Sequence, residues 1–155
     1  MSKVKKVSIM GLPGVGKSTL IKMLTGQTIP NDYVPTVALD FADAHIGNYK
    51  VSLWDLGGQD QFRFMWDSFL PGTSTILLVT DSTMEGVQKT KSLVQKYSNF
   101  NGAQLLVIAN KQDLPGALSP SEVESCLGAE THGLVAVDSQ SKHYLFKLLE
   151  QKFSS

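Results

Sequence analysis

Eight residues near the start of the chain have the types and spacing to hold a polyphosphate: Gly11-Leu12-Pro13-Gly14-Val15-Gly16-Lys17-Ser18. They fit G-x-x-x-x-G-K-[ST]. They lie between an apolar run, Val4 to Met10, and a helical stretch, Lys17 to Thr25. Glycines let a backbone wind tightly and turn its N–H groups toward one centre, with no side chain in the way of a phosphate. The backbone of Gly11, Pro13, Gly14, Val15, Gly16 and Thr19 would line that site. The helix opening there adds free N–H groups and the positive end of its dipole. Lys17 brings a full charge to β- and γ-phosphates, and the Ser18 hydroxyl can reach a bound Mg²⁺.

A second group reads a base. Asn110-Lys111-Gln112-Asp113 follows the apolar run Gln104 to Ala109, at the carboxyl end of a buried strand, where open α/β sheets bind ligands. A carboxylate such as Asp113 accepts from both the N1–H and the exocyclic amine of guanine. Adenine has an acceptor at N1 and no amine at C2, so it would leave Asp113 unpaired. Lys111 would lay its stem along the base, and Asn110 would tie the segment to the phosphate loop. Ala136-Val137-Asp138-Ser139 follows a predicted last strand, where the backbone N–H of Val137 or Asp138 could meet the guanine O6.

A third group acts on the terminal phosphate. It is Trp54-Asp55-Leu56-Gly57-Gly58-Gln59, at the end of a strand. Asp55 can hold Mg²⁺ through water, the Gly58 N–H can approach the γ-phosphate unobstructed, and Gln59 can orient an attacking water. Thr36, in the Pro- and Asn-containing loop Gln27 to Val37, offers a hydroxyl that could close over Mg²⁺ and the γ-phosphate as a switch.

The elements that must position these groups follow from periodicity. Val4 to Met10, Thr75 to Thr80, Gln104 to Ala109 and Leu134 to Val137 read as buried strands. Ala38 to Ile46 and Tyr49 to Asp55, joined by Gly47-Asn48, read as a hairpin. Helices are expected over Lys17 to Thr25, Gln61 to Leu70, Glu85 to Tyr97 and Ser141 to Phe153. A shorter one should follow the capping box Ser119-Pro120-Ser121-Glu122. The order implies one α/β domain, residues 1–155, of the P-loop small G-domain type. Its six-stranded, mostly parallel sheet should have one antiparallel edge strand and helices on both faces.

Composition excludes several classes. The chain has 155 residues, enough for one ordinary domain with a core. Lys plus Arg equals Asp plus Glu at 14 each, so no nucleic-acid partner is indicated. Cys126 is the single cysteine, which rules out an internal disulfide and fits a reducing, cytoplasmic setting. No apolar stretch approaches the ~20 residues of a membrane span. Residue 2 is Ser, so the N-myristoylation pattern is absent. His45, His132 and His143 share no metal-ligand spacing.

Asn110-Lys111-Gln112-Asp113 resembles the base-reading motif of the GTPase superfamily, and the segments together resemble the small GTPases of the Ras superfamily. Trp54-Asp55-Leu56-Gly57-Gly58-Gln59-Asp60, with Arg63 and Trp66 after it, is similar to the Arf, Arf-like and Sar branch, and Val34-Pro35-Thr36 is similar to its switch I. The resemblance implies a GTP/GDP switch with slow Mg²⁺-dependent hydrolysis. It also implies an exchange factor, an activating protein and an effector that meets Leu39, Trp54 and Phe69. The dense aromatics Phe62, Phe64, Trp66 and Phe69 should be divided between the core and such a surface.

Two departures stand out. The first strand starts within a few residues of Met1, so no amphipathic N-terminal anchor is expected, and any membrane recruitment would come from a partner. Pro13 stands where Arf proteins often have Asp, and it removes one N–H from the phosphate nest. Pro13 therefore leaves a rival open, a GTP-binding interaction module that barely hydrolyses; Gln59 argues against it.

Overall fold

A computed structural model describes residues 3–26, 39–135 and 139–154. Thr36, Val137 and Asp138 lie outside the described residues. Among those described, the elements run β1 (Lys3–Gly11), α1 (Lys17–Thr25), β2 (Leu39–Ile46), β3 (Tyr49–Leu56), α2 (Asp60–Arg63), α3 (Trp66–Phe69), β4 (Thr75–Thr80), α4 (Met84–Tyr97), β5 (Gln104–Ala109), α5 (Pro120–Leu127), β6 (Thr131–Gly133) and α6 (Ser139–Ser154).

The six strands make one sheet in the order β2-β3-β1-β4-β5-β6. Every neighbouring pair is parallel except β2–β3, the hairpin closed at Gly47-Asn48. The expected fold is therefore the observed one. Register aligns the carboxyl ends: Ile9 pairs with Asp55, Gly11 with Val79, and Thr80 with Ala109. β1 lies between β3 and β4, at the point where the strand order reverses, so the loop after it opens into the crevice where ligands bind in such sheets.

Alternate residues of the central strands feed two cores. Val7 and Ile9 pack with Leu20 and Leu24 of α1 and with Leu145, Leu149 and Phe153 of α6. Met10, Ile76 and Leu78 pack with Val87, Val94 and Tyr97 of α4, Val123 of α5, and Trp66 and Leu70. β4 is buried along its whole length, as its unbroken apolar and β-branched run requires. Local rules end the helices. Gly26 closes α1 with a left-handed φ of 72°, and its N–H reaches the Lys22 carbonyl. Ser119 and Glu122 form the reciprocal capping box of α5, with Pro120 in its first turn. No helix among the described residues is long and apolar enough to cross a membrane.

Two expectations need correction. The helix over Gln61 to Leu70 is two single turns, α2 and α3, broken at Phe64-Met65. A continuous helix would stack Phe62, Met65, Trp66 and Phe69 on one stripe, which is too much apolar bulk for a single face. Instead Phe62 N–H bonds the Gln59 carbonyl, Met65 that of Phe62, and Ser68 that of Met65. This tighter three-residue spacing rotates Trp66 into the core at 1% exposure and leaves Phe64 outside at 82%.

Among the described residues the last strand is Thr131–Gly133, and Leu134 and Val135, the described part of the strand expected over Leu134 to Val137, lie beyond it. Hydrogen bonds rather than apolar residues hold it. The Glu124 carboxylate accepts from the Thr131 N–H, and the Thr131 hydroxyl donates to the Ala129 carbonyl. Leu134 adds one further bond to the Ala109 carbonyl, but it lies beyond the strand. A short polar edge strand has no apolar run to detect.

Candidate functional site

β1 delivers Gly11 to the crevice, and the chain then turns through Leu12 to Gly16 into α1. Gly16 caps α1 with φ 91°, and a Cβ there would run into the Asn110 side-chain amide. Only glycine satisfies both demands at that position. Val15 is buried in the core, so its contribution to a ligand is confined to its backbone. Pro13 and Gly14 are exposed at the turn of the loop.

Lys17 rises from the first turn of α1 and makes an ion pair with Asp55 at the end of β3. The two side chains are only 13% and 20% exposed, so the pair sits in a partly desolvated position where each charge needs a counter-charge. Lys17, expected to meet phosphate, and Asp55, expected to hold the metal, thus come together across the β1–β3 junction. Gly58 follows immediately, and a Cβ on it would collide with the Gly11 carbonyl. The Gly57-Gly58-Gln59 segment is therefore laid against the phosphate loop itself. Gln59 is half-buried and caps α2 in extended conformation, φ −68° and ψ 147°.

The base side is cross-braced. Asn110 is 3% exposed, and its amide Nδ2 donates to the Val15 carbonyl at 3.0 Å. Lys111 Nζ donates to the Gly14 carbonyl at 2.7 Å, from a backbone at φ 63°. That left-handed conformation is uncommon for a residue with a side chain, and the bonds on either side of it hold it in place. Ser82 Oγ donates to the Asn110 carbonyl at 2.6 Å, and Gln112 Nε2 reaches both Ser82 Oγ and the Leu118 carbonyl. Asp113 is exposed beside them. A cleft of about 310 Å³, at the small end of ligand sites, is lined by Gly16, Thr19, Asn110, Lys111, Asp113 and Val135. A larger groove of about 680 Å³ lies beside the β2–β3 turn, but it holds neither phosphate-side nor base-side residues.

Three contacts escaped the sequence reading. Trp66 Nε1 donates to the Gly57 carbonyl at 2.8 Å in a buried position. Lys6 Nζ lies 3.4 Å from the Trp54 ring centroid and donates to the carbonyls of Phe69 and Pro71 at 2.6 and 2.9 Å. Burial lowers the Lys6 pKa. Phe41, 58% exposed, meets Trp54 edge-on with centroids 4.8 Å apart. Leu39, Trp54 and Phe69 are all half-buried and packed on one core cluster, so none is wholly core. Backbone-directed and cross-strand contacts of this kind have no fixed spacing in the chain; only the alternation of β2 and β3 hinted at the Phe41–Trp54 pair.

A mostly parallel sheet with a glycine-rich loop at its switch point, a lysine beside a strand-end aspartate, and a braced Asn-Lys-x-Asp turn define a P-loop guanine-nucleotide-binding domain. The profile of the ADP-ribosylation factor family matches residues 1–148, and the chain belongs to that family. It is similar to ADP-ribosylation factor-like protein 2 of Drosophila melanogaster, 32% identical over 139 residues, which cover 84% of this chain and 75% of that protein. It is also similar to ADP-ribosylation factor-like protein 1 of Saccharomyces cerevisiae, 36% identical over 127 residues, covering 79% and 68%. In three dimensions it resembles the Arl6 BBS3 small GTPase of Trypanosoma brucei with bound nucleotide analogue GppNp. The TM-score is 0.81 over 98% of each chain at 20% identity, a likeness of fold. The chain is accordingly a small GTPase, a GTP-binding molecular switch that hydrolyses GTP and interacts with regulators and effectors. The non-hydrolysing interaction module is not favoured.

Proposed function

We propose the following division of labour. The observation that carries it is the meeting of Lys17, Asp55 and Gly58 at one end of the phosphate loop, with Asn110, Lys111 and Asp113 at the other. Backbone N–H groups of Gly14, Val15, Gly16, Lys17, Ser18 and Thr19 receive the phosphates, and Gly11 and Pro13 shape the loop. Pro13 gives no N–H, so the nest is completed by its neighbours. The Lys17 ammonium passes from the Asp55 carboxylate to the β- and γ-phosphate oxygens. Asp113 reads the guanine edge, Lys111 covers the base, and Asn110 holds the two segments together. Val137 and Asp138 complete the base site by a backbone N–H to the guanine O6.

The donor set also suits Mg²⁺. The Ser18 hydroxyl and the Asp55 carboxylate are hard oxygen ligands beside the phosphates, and the Thr36 hydroxyl would join them from the switch loop. A Mg²⁺ ion held by those oxygens would supply positive charge beside the β- and γ-phosphates. Gln59 orients the water for in-line attack, and the Gly58 N–H meets the γ-phosphate. Arg63 is the only arginine in the chain and lies beyond the phosphate loop, at the end of α2. Unassisted turnover is therefore slow, on the order of 10⁻⁴–10⁻³ s⁻¹, until an activating protein supplies a cation. The effector surface comprises Leu39, Trp54 and Phe69, extended by Phe41.

Single-turnover hydrolysis tests the catalytic half. Gln59→Leu should slow phosphate release by roughly a hundredfold while GTP affinity stays within a factor of a few. Equal rates in the two proteins would remove Gln59 from its role.

A further inference from the structure

The Gly57–Gly58 peptide has two polar ends. Its N–H belongs to Gly58, and its carbonyl belongs to Gly57. A peptide is planar and trans, so fixing one end fixes the direction of the other. The carbonyl end is held by the indole of Trp66, at 2.8 Å and out of contact with water. We infer that Trp66 is the positioning residue of the γ-phosphate contact, aiming the Gly58 N–H through the far side of the same peptide. This rests on the reading above that the Gly58 N–H meets the γ-phosphate.

The indole is well placed for that work because it is itself immobilised. Trp66 is 1% exposed, and its ring lies 6.1 Å from that of Tyr97 at the end of α4. Asp67, the next residue, accepts from the Tyr97 phenol at 2.7 Å and lies 3.3 Å from Lys96 Nζ. Burial and the Asp67 carboxylate raise the Tyr97 pKa far above neutrality, so the phenol is a constant donor. The single turn of α3 is too short to be stable alone. It is clamped to α4, and through the indole it carries that rigidity to a glycine pair with little stiffness of its own. A packing role would need only the ring, whereas aiming the peptide needs the N–H.

The experiment compares affinity for a non-hydrolysable GTP analogue with affinity for GDP, in wild type, Trp66→Phe and Gly58→Ala. Phenylalanine keeps an aromatic ring and loses the donor. In Trp66→Phe, GDP affinity should hold within about twofold while analogue affinity falls roughly tenfold, the scale of one misdirected hydrogen bond to a charged group. Gly58→Ala, which drives a methyl into the Gly11 carbonyl, should lower the same ratio further. A lowered ratio in Gly58→Ala with an unchanged ratio in Trp66→Phe would overturn the role of the indole and leave the Gly58 reading standing. An unchanged ratio in both would overturn the two together.

A measurement on the unaltered protein guards against misfolding of the variant. The chain has two tryptophans, so a ¹⁵N spectrum gives two indole N–H signals. With the analogue bound, the Trp66 N–H should exchange with solvent at least tenfold more slowly than that of Trp54, which bonds the Ser52 hydroxyl at 3.2 Å in a half-buried position. Equal exchange rates would overturn the proposal.

Discussion

The two ends of the nucleotide site are built in opposite ways. At the base end, side chains from two segments, Ser82 and Asn110 to Gln112, are bonded to backbone carbonyls elsewhere. Asn110 bonds to Val15, Lys111 to Gly14, Ser82 to Asn110 and Gln112 to Leu118. The ties of Asn110 and Ser82 are buried. At the γ-phosphate end, Gly57-Gly58-Gln59 has no regular structure and is followed by two helices of one turn each. A braced end is expected to keep its shape whichever nucleotide is present. A glycine pair has little stiffness of its own, and here one buried bond from an indole sets its direction. On the proposed reading, guanine recognition is the constant function and the sensing of one phosphate the conditional one.

The largest test of that contrast is at the base. Asp113→Ala removes two hydrogen bonds to a carboxylate, each worth about 1.5–3 kcal/mol. Affinity for GDP and for a GTP analogue should fall together by about a thousandfold, read by competition binding, with the ratio between them unchanged. A loss confined to one nucleotide would show that the base end is not constant, and the comparison would fail.

The sequence spoke most clearly where the chemistry needs a fixed spacing. The phosphate loop must follow one strand and open one helix, so Gly11 to Ser18 was legible with its flanking elements. Asn110 to Asp113 must leave a strand end, and the Ser119–Glu122 box is local by nature. What stayed hidden is long-range. The break at Phe64-Met65 depends on where Trp66 finds room and a carbonyl, some distance back along the chain. β6 is held by Glu124 and Thr131 rather than by an apolar pattern. Lys6 reads as a polar residue inside the first predicted strand, and nothing local reveals that it reaches Trp54, Phe69 and Pro71.

Lys6 sharpens the comparison at intermediate size. It ties the half-buried ring of Trp54 to the backbone at and just after the end of α3, so it belongs to the conditional end. Lys6→Met keeps the aliphatic stem and removes a cation–π contact and two charge-assisted hydrogen bonds. The loss should be about 1–2 kcal/mol, lowering Tm by roughly 2–8 °C. Trp54 fluorescence should change with it, and GDP affinity should not. A fall in GDP affinity beyond about threefold would mean that the two ends are mechanically joined.

The smallest effect is expected behind the base end, where the ties are redundant. Glu130 precedes β6 and accepts from Lys152 Nζ and from His132 Nε2, both at 2.8 Å, while His132 Nδ1 meets the Tyr144 hydroxyl. The cluster joins β6 to α6 and so brackets Val135, which lines the cleft. The hydrogen bond from Lys152, then that from His132, lowers the Glu130 pKa below its ordinary 4.5. A carboxylate lowered in the folded state contributes stability that is full above the unfolded pKa and disappears as pH falls through the folded one. Glu130 is 41% exposed, so solvent screens the pair and the contribution stays below about 1 kcal/mol. Glu130→Gln should therefore lower Tm by a few degrees at most at pH 7, the difference should close as the pH drops below 4.5, and guanine affinity should be unchanged throughout. A Tm difference that persists undiminished in acid would assign the loss to packing. A large loss of guanine affinity would show that the bracing around Asn110 is not sufficient by itself.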